Sequence, residues 1–130
     1  MSQCIMQLAV TVRDYDEAIS FYVKTLGFEL LEDTDLGGGK RWVRVQPPGG
    51  DGPAILLARA VTPEQLASVG NQTGGRVFIF IHTDDLLRDF EALRARGVQF
   101  VRTPAEEPFG RVAVFKDLYG NLFDLIEPKH

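Results

Sequence analysis

Cysteine is almost missing from this chain. Its 130 residues include one, Cys4, so an internal disulfide is excluded, and a lone thiol is more often buried and inert than nucleophilic. Histidine occurs twice, at His82 and at the final residue, His130, so the ligand that softer divalent metals favour is scarce. Excess positive charge is missing too. Eighteen acids against 14 bases leave a net charge of −4, which argues against a nucleic-acid partner. No apolar run approaches the ~18 residues of a membrane span, so no membrane partner is expected. The opening MSQCIMQLAV has no basic segment ahead of its apolar residues and does not read as a signal peptide. A cytoplasmic protein is the expectation. Neither Ser20, Ser68 nor His82 has nucleophile-elbow context, which makes a serine hydrolase a poor reading. The GGGK run at 37–40 lacks the first glycine of the P-loop spacing and leads into a strand rather than a helix.

What is present is a repeat. Residues 7–30 read QLAVTVRDYDEAISFYVKTLGFEL and residues 78–100 read FIFIHTDDLLRDFEALRARGVQF. Each is an apolar strand, an Asp where a helix begins, an amphipathic stretch, a Gly and a second strand. Asp14 and Asp85 set an offset of 71, which places Gln7 opposite Phe78 and, after one deletion, Gly27 opposite Gly97. Two copies in one small chain imply paired modules whose sheets enclose a cleft.

The pattern predicts a strand over about 4–12, then a helix capped by Asp14 and Glu17 and running to about Leu26. Its apolar stripe is Ala18, Ile19, Tyr22, Val23 and Leu26, and Gly27 stops it. A strand starts at 28–32, DTDLGGG (33–39) reads as a flexible turn, and strands follow over 41–45 and 54–59 around the loop PPGGDGP. Thr62 caps a short helix with Pro63 in its first position. The second half repeats the plan: a strand over 77–83, a helix capped by Asp85 with stripe Leu86, Phe90 and Leu93, and a strand over 98–102. TPAEEPFG (103–110) reads as a loop, and a hairpin turns at Asp117-Leu118-Tyr119-Gly120. One domain results, from modules of about 4–60 and 76–128 joined by 61–75. The fold class is α+β: two β-α-β-β-β modules forming a partly closed, barrel-like sheet pair.

Alternation sends Leu8, Val10 and Val12 toward the first helix, and Ile79, Ile81 and Thr83 toward the second. Gln7, Ala9 and Thr11, with Phe78, Phe80 and His82, then face the cleft, unless a bulge reverses the register. Trp42 and Phe115 join that face, and Phe109 closes over it from its loop. Together they make an apolar, aromatic wall suited to a planar organic ligand. Asp124 lies in an apolar strand and must be hydrogen-bonded, paired or protonated. Either Arg111, Arg44 or another arginine on an adjoining strand pairs with it, or it anchors a ligand. The two arginines are alternatively placed to hold an anion.

The repeat and the closing FKDLYGNLFDLIEP resemble the vicinal oxygen chelate superfamily, which includes glyoxalase I, extradiol dioxygenases, and bleomycin- and fosfomycin-resistance proteins. Asp14 with Phe21-Tyr22, Leu26-Gly27-Phe28 and Gly97-Val98 carry the same resemblance, which spans Ile5 to Pro128. It implies a homodimer. It also implies, in catalytic members, a divalent metal held by four strand positions, here Gln7, a place near Leu57, Phe78 and Asp124. Only Gln7 and Asp124 can ligate, and His82 lies about 13 Å further along its strand than Phe78. No cofactor is therefore expected. The favoured reading is a small-molecule binding protein with a degraded metal site, similar to the sequestering resistance proteins. The alternatives are a metal-dependent lyase or dioxygenase with Gln7 and Asp124 as ligands, and an interaction module without a small ligand.

Overall fold

A computed structural model describes residues 1–129; His130 lies outside the described residues. The chain forms two compact units, Met1–Val69 and a second beginning at Gly70. Each contains one four-stranded mixed sheet with a helix against one face, so the architecture is α+β with two β-α-β-β-β modules.

In the first unit the order is β1 (Gln7–Val12), α1 (Tyr15–Ile19), β2 (Glu29–Gly37), β3 (Lys40–Gln46), β4 (Ala54–Arg59) and α2 (Pro63–Ser68). Asp14 caps α1 by accepting the Glu17 amide at 2.8 Å, while the Glu17 side chain turns away to Arg13. The helix then widens into a π-helical segment over Ser20–Thr25, with the Leu26 amide donating to Phe21 O five residues back. Tyr15, Ala18, Tyr22 and Leu26 are buried, so the widened turn keeps one stripe on the sheet. The strands run β1-β4-β3-β2, with β1 and β4 parallel and the remaining pairs antiparallel. Val10, Val12, Val43, Val45 and Leu57 form the core beneath α1. Burying each such side chain contributes roughly 1.5–3 kcal/mol. Thr62 and Gln65 complete a reciprocal capping box on α2, whose Ser68 hydroxyl meets that of Thr11 at 2.7 Å.

The second unit holds β5 (Val77–His82), α3 (Leu86–Ala95), β6 (Phe100–Glu107), β7 (Gly110–Lys116) and β8 (Leu122–Pro128), ordered β5-β8-β7-β6. Asp85 caps α3 through the Arg88 amide at 3.1 Å, repeating the role of Asp14 at the same offset. Leu86, Phe90 and Leu93 are its buried stripe. Phe90, Phe100, Phe115 and Phe123 make a chain of ring contacts, with Phe115 and Phe123 stacked at 5.1 Å. In the β7–β8 connection, Asp117 accepts the amides of Tyr119, Gly120 and Asn121 and also the Asn121 side-chain amide. Gly70 packs against this turn at φ +75°, where an added Cβ would lie 1.9 Å from the Tyr119 carbonyl oxygen.

Several expectations need correction. The first strand begins at Gln7, not residue 4, and Cys4 is exposed rather than buried. Leu8 is likewise 42% exposed. Residues 33–37 are not a flexible turn: they extend β2 and pair with β3, so the reversal is confined to the glycines that follow. Nor is 103–107 a loop, since β6 runs through it and the turn shrinks to Pro108 and Phe109.

Candidate functional site

Each sheet has a face turned away from its helix, and parity decides which side chains reach it. On the first sheet these are Gln7, Ala9 and Thr11 of β1, Leu56 and Ala58 of β4, and Trp42 and Arg44 of β3. Arg44 reaches across β4 and donates from Nε to Gln7 Oε1 at 2.8 Å. Ala54, paired with Gln7, is small enough to pass beneath that bridge. Glu32 on β2 lies 3.8 Å from the Arg44 guanidinium. The carboxamide oxygen expected to hold a cation is therefore occupied by one already, a guanidinium. Leu57 is fully buried toward α1, and the neighbours that do share the open face, Leu56 and Ala58, offer no ligand atom.

A cavity of about 520 Å³ opens beside α2 at the far end of this sheet. Thr11, Trp42, Leu56 and Ala58 line it from the open face, Leu57 from within the sheet, and Val61 from the segment leading into α2. Its rim is basic: Lys40, Arg41 and Arg59 border it with Tyr15. Arg41 grips Asp33 with two parallel bonds, Nε to Oδ1 at 3.1 Å and Nη2 to Oδ2 at 2.7 Å, and reaches Asp16 at 2.9 Å. These bonds hold the Asp33 carboxyl below the usual carboxylate range and push Arg41 further up. The Arg41 and Arg59 guanidiniums both lie over the Tyr15 ring, at 5.1 and 5.8 Å from its centroid.

On the second sheet Phe80, His82 and Asp124 share the open face, Phe80 beside Asp124 and His82 beside Ile126. Phe80 is 65% exposed. Burial among apolar neighbours raises the Asp124 pKa, with the charge of Arg102 acting in the opposite direction. Within its own unit Arg44 is engaged by Gln7 and Glu32, and within the second unit Arg111 binds Glu106 at 2.6 Å rather than Asp124. Arg111 alternates with Val112 and falls on the helix side of β7, opposite Glu127. Phe115 also points that way, 1% exposed and stacked on Phe123, so it belongs to the core. Phe78 sits at a bulge in β5, where the register slips between Val77 and Ile79, and its ring meets Phe123 edge-on at 6.2 Å. The slip carries Phe78 to the aromatic core and away from Phe80. Phe109 occupies the tight β6–β7 turn, 55% exposed. No three acidic, histidine or cysteine side chains converge on a metal position among the described residues.

Of the residues that line this cavity, the sequence reading names Trp42 and Thr11 as cleft-facing and does not single out the others. The signal was there in part: β3 opens Lys40-Arg41 and β4 closes on Arg59 after an apolar run, which puts three cations at one end of two adjacent strands.

Known proteins resemble the chain along nearly its full length. The model of the Glyoxalase/Bleomycin resistance protein/Dioxygenase superfamily matches residues 5–125. An uncharacterised protein of Shewanella frigidimarina (strain NCIMB 400) is 55% identical over 128 residues, covering 98% of this chain and 95% of that protein. Among solved structures, UcmS2 superposes with a TM-score of 0.85 at 31% identity, covering 98% of this chain and 99% of its own. TnmS3, an antibiotic binding protein from Streptomyces sp. CB03234, gives 0.78 at 33% identity, with 99% and 98% covered.

Proposed function

Because this chain belongs to the Glyoxalase/Bleomycin resistance protein/Dioxygenase superfamily, we propose that it is a small-molecule binding protein whose ligand occupies the cavity of the first sheet. The observation that carries this reading is the cavity itself, about 520 Å³ with Trp42, Leu56, Ala58 and Val61 as its apolar wall. That size and lining suit a compact organic molecule with a planar portion. The antibiotic-binding activity of TnmS3 supports the same reading.

The binding is metal-independent in this proposal. Gln7 Oε1 is hydrogen-bonded by Arg44, and a divalent cation placed there would stand against a guanidinium at contact distance. Asp124 has only apolar neighbours in register on β5 and β7, Phe80 and Val114. Neither donor set fits the three or more N, O or S ligands of a tight site. No catalytic step follows from these residues, and none is needed for protection by sequestration. A homodimer is the inferred assembly, supported by apolar side chains left in solvent, among them Ile5, Met6 and Phe80 at 68, 59 and 65% exposure.

Trp42 is the chain's single tryptophan, so its emission reports on the cavity directly. A bound planar compound should quench or shift that emission and raise the melting temperature. If a panel of aromatic antibiotics and metabolites changes neither, this reading is wrong.

A further inference from the structure

The two halves repeat one another in order but not in how tightly they are sewn. In the second unit, β7 and β8 pair without interruption from Gly110↔Pro128 to Lys116↔Leu122. The equivalent strands of the first unit, β3 and β4, pair only at Arg44↔Leu56 and Val45↔Ile55. Beyond Arg44 the ladder stops, although β3 stays paired with β2 down to Lys40 and β4 stays paired with β1 up to Arg59. The two strands stay side by side but lose their ladder along this seam, and the cavity lies there: Arg41 and Trp42 border it from one strand, Leu57 to Arg59 from the other.

The charges at this split are unevenly matched. Arg41 is answered twice, by Asp33 and Asp16. Lys40 and Arg59 have no carboxylate within 4 Å among the described residues, although acids outnumber bases in the chain as a whole. The Arg59 guanidinium is held near Tyr15, and Gly39 gives it room, since an added Cβ there would lie 3.3 Å from Nη2. An exposed guanidinium without an ion pair, at the mouth of a cavity with an apolar wall, is suited to a carboxylate, which it can bind through paired N–H donors.

We propose that the split seam takes the carboxylate of an organic acid, with Arg59 and Lys40 as its counter-charges and the acid's apolar body along Trp42 and Leu56. The proposal rests on the cavity of the first sheet being the ligand site and names the class of ligand it takes. An inorganic anion would satisfy the cations but leave the apolar wall unfilled, and a neutral aromatic would do the reverse.

The test is calorimetric titration of the full chain with 2-naphthoate, with its neutral counterpart 2-naphthamide, and with inorganic phosphate. Naphthoate should bind about ten-fold more tightly than naphthamide, the margin expected of a charge-assisted hydrogen bond. Arg59→Gln should remove most of that margin, because naphthoate loses a charge-assisted bond where naphthamide loses at most a neutral one, and Lys40→Gln should reduce it. Raising the salt from about 0.05 to about 0.5 M should weaken naphthoate alone. Equal binding of the two aromatic probes, equal loss of both in Arg59→Gln, or phosphate binding as tightly as naphthoate would overturn the organic-acid assignment and leave the cavity reading standing. Absence of binding by either aromatic probe would overturn both. Should Arg59→Gln melt below the wild-type protein, Lys40→Gln and the salt series decide.

Discussion

Asp124 shows how an expected residue changes meaning once its neighbours are known. The strand around it is apolar, and that alone required a partner or a proton. Of the arginines named from sequence, Arg111 is sent by strand parity to the helix side, where it binds Glu106, and Arg44 binds Gln7 within its own unit. What remains is a partly buried carboxyl whose pKa burial raises and Arg102 only partly offsets. A folded-state pKa above the unfolded value near ~4 means the native state holds this proton more tightly. The group's contribution is then fully present below that value and declines as pH rises through the raised one. Asp124→Asn should accordingly be more stable than wild type at pH 7, by less than about 1 kcal/mol given the solvent screening. The advantage should vanish below about pH 4. Urea unfolding at both pH values checks this; a variant less stable at pH 7 would mean the carboxylate is stabilised by a partner after all. Gln7 and Trp42 were legible because alternation in β1 and β3 is unbroken where they sit. Phe78 was not, because one extra residue in β5 defeats a parity argument and nothing in the local composition marks it.

At the scale of elements, the helix starts were read well, while β1 was read long and β2 and β6 were read short. Both Asp caps and Thr62 act as side-chain acceptors at the expected positions, since capping is a local interaction that sequence spacing determines. The extensions of β2 and β6 were hidden for a non-local reason. Residues 33–37 have turn-like composition but are drawn out by pairing with β3, helped by the Arg41–Asp33 fork across the two strands. Residues 103–107 contain Pro104, which central strands exclude, but β6 is an edge strand and its register is irregular between Arg102 and Ala105. The split seam was equally illegible, since no feature of residues 41–43 or 57–59 says that they fail to pair. It has a measurable consequence. Ladder hydrogen bonds protect amides from exchange, and a segment lacking them on one side opens at lower cost. Amides of 41–43 and 57–59 should on average exchange faster than those of 111–116 and 122–127. A ligand bound in the cavity should slow the first group and leave the second unchanged. Equal protection of both groups before ligand is added would show that the seam is closed in solution.

For the whole molecule, the repeat implies a symmetry that the site does not share. Two copies of one plan suggest two equivalent places for a ligand, yet the residues around the cavity all come from Thr11 to Gln65, within the first unit. Both units bury aromatics in their own cores and each leaves one on its open face, Trp42 on the first and Phe80 on the second, but only Trp42 of these two lines the cavity. On the proposed reading each chain carries its ligand site within its first unit. If the protein is a homodimer, light scattering should give twice the chain mass of 14.5 kDa. Calorimetry should then count two ligands per dimer, with no dependence of affinity on protein concentration across the dissociation range. A count of one ligand per two chains would mean that the site needs residues from both copies, and the cavity of the first sheet could not then be the binding site by itself. Serine in place of the exposed Phe80 separates these cases further: it should leave ligand affinity intact even if it shifts the mass toward the monomer.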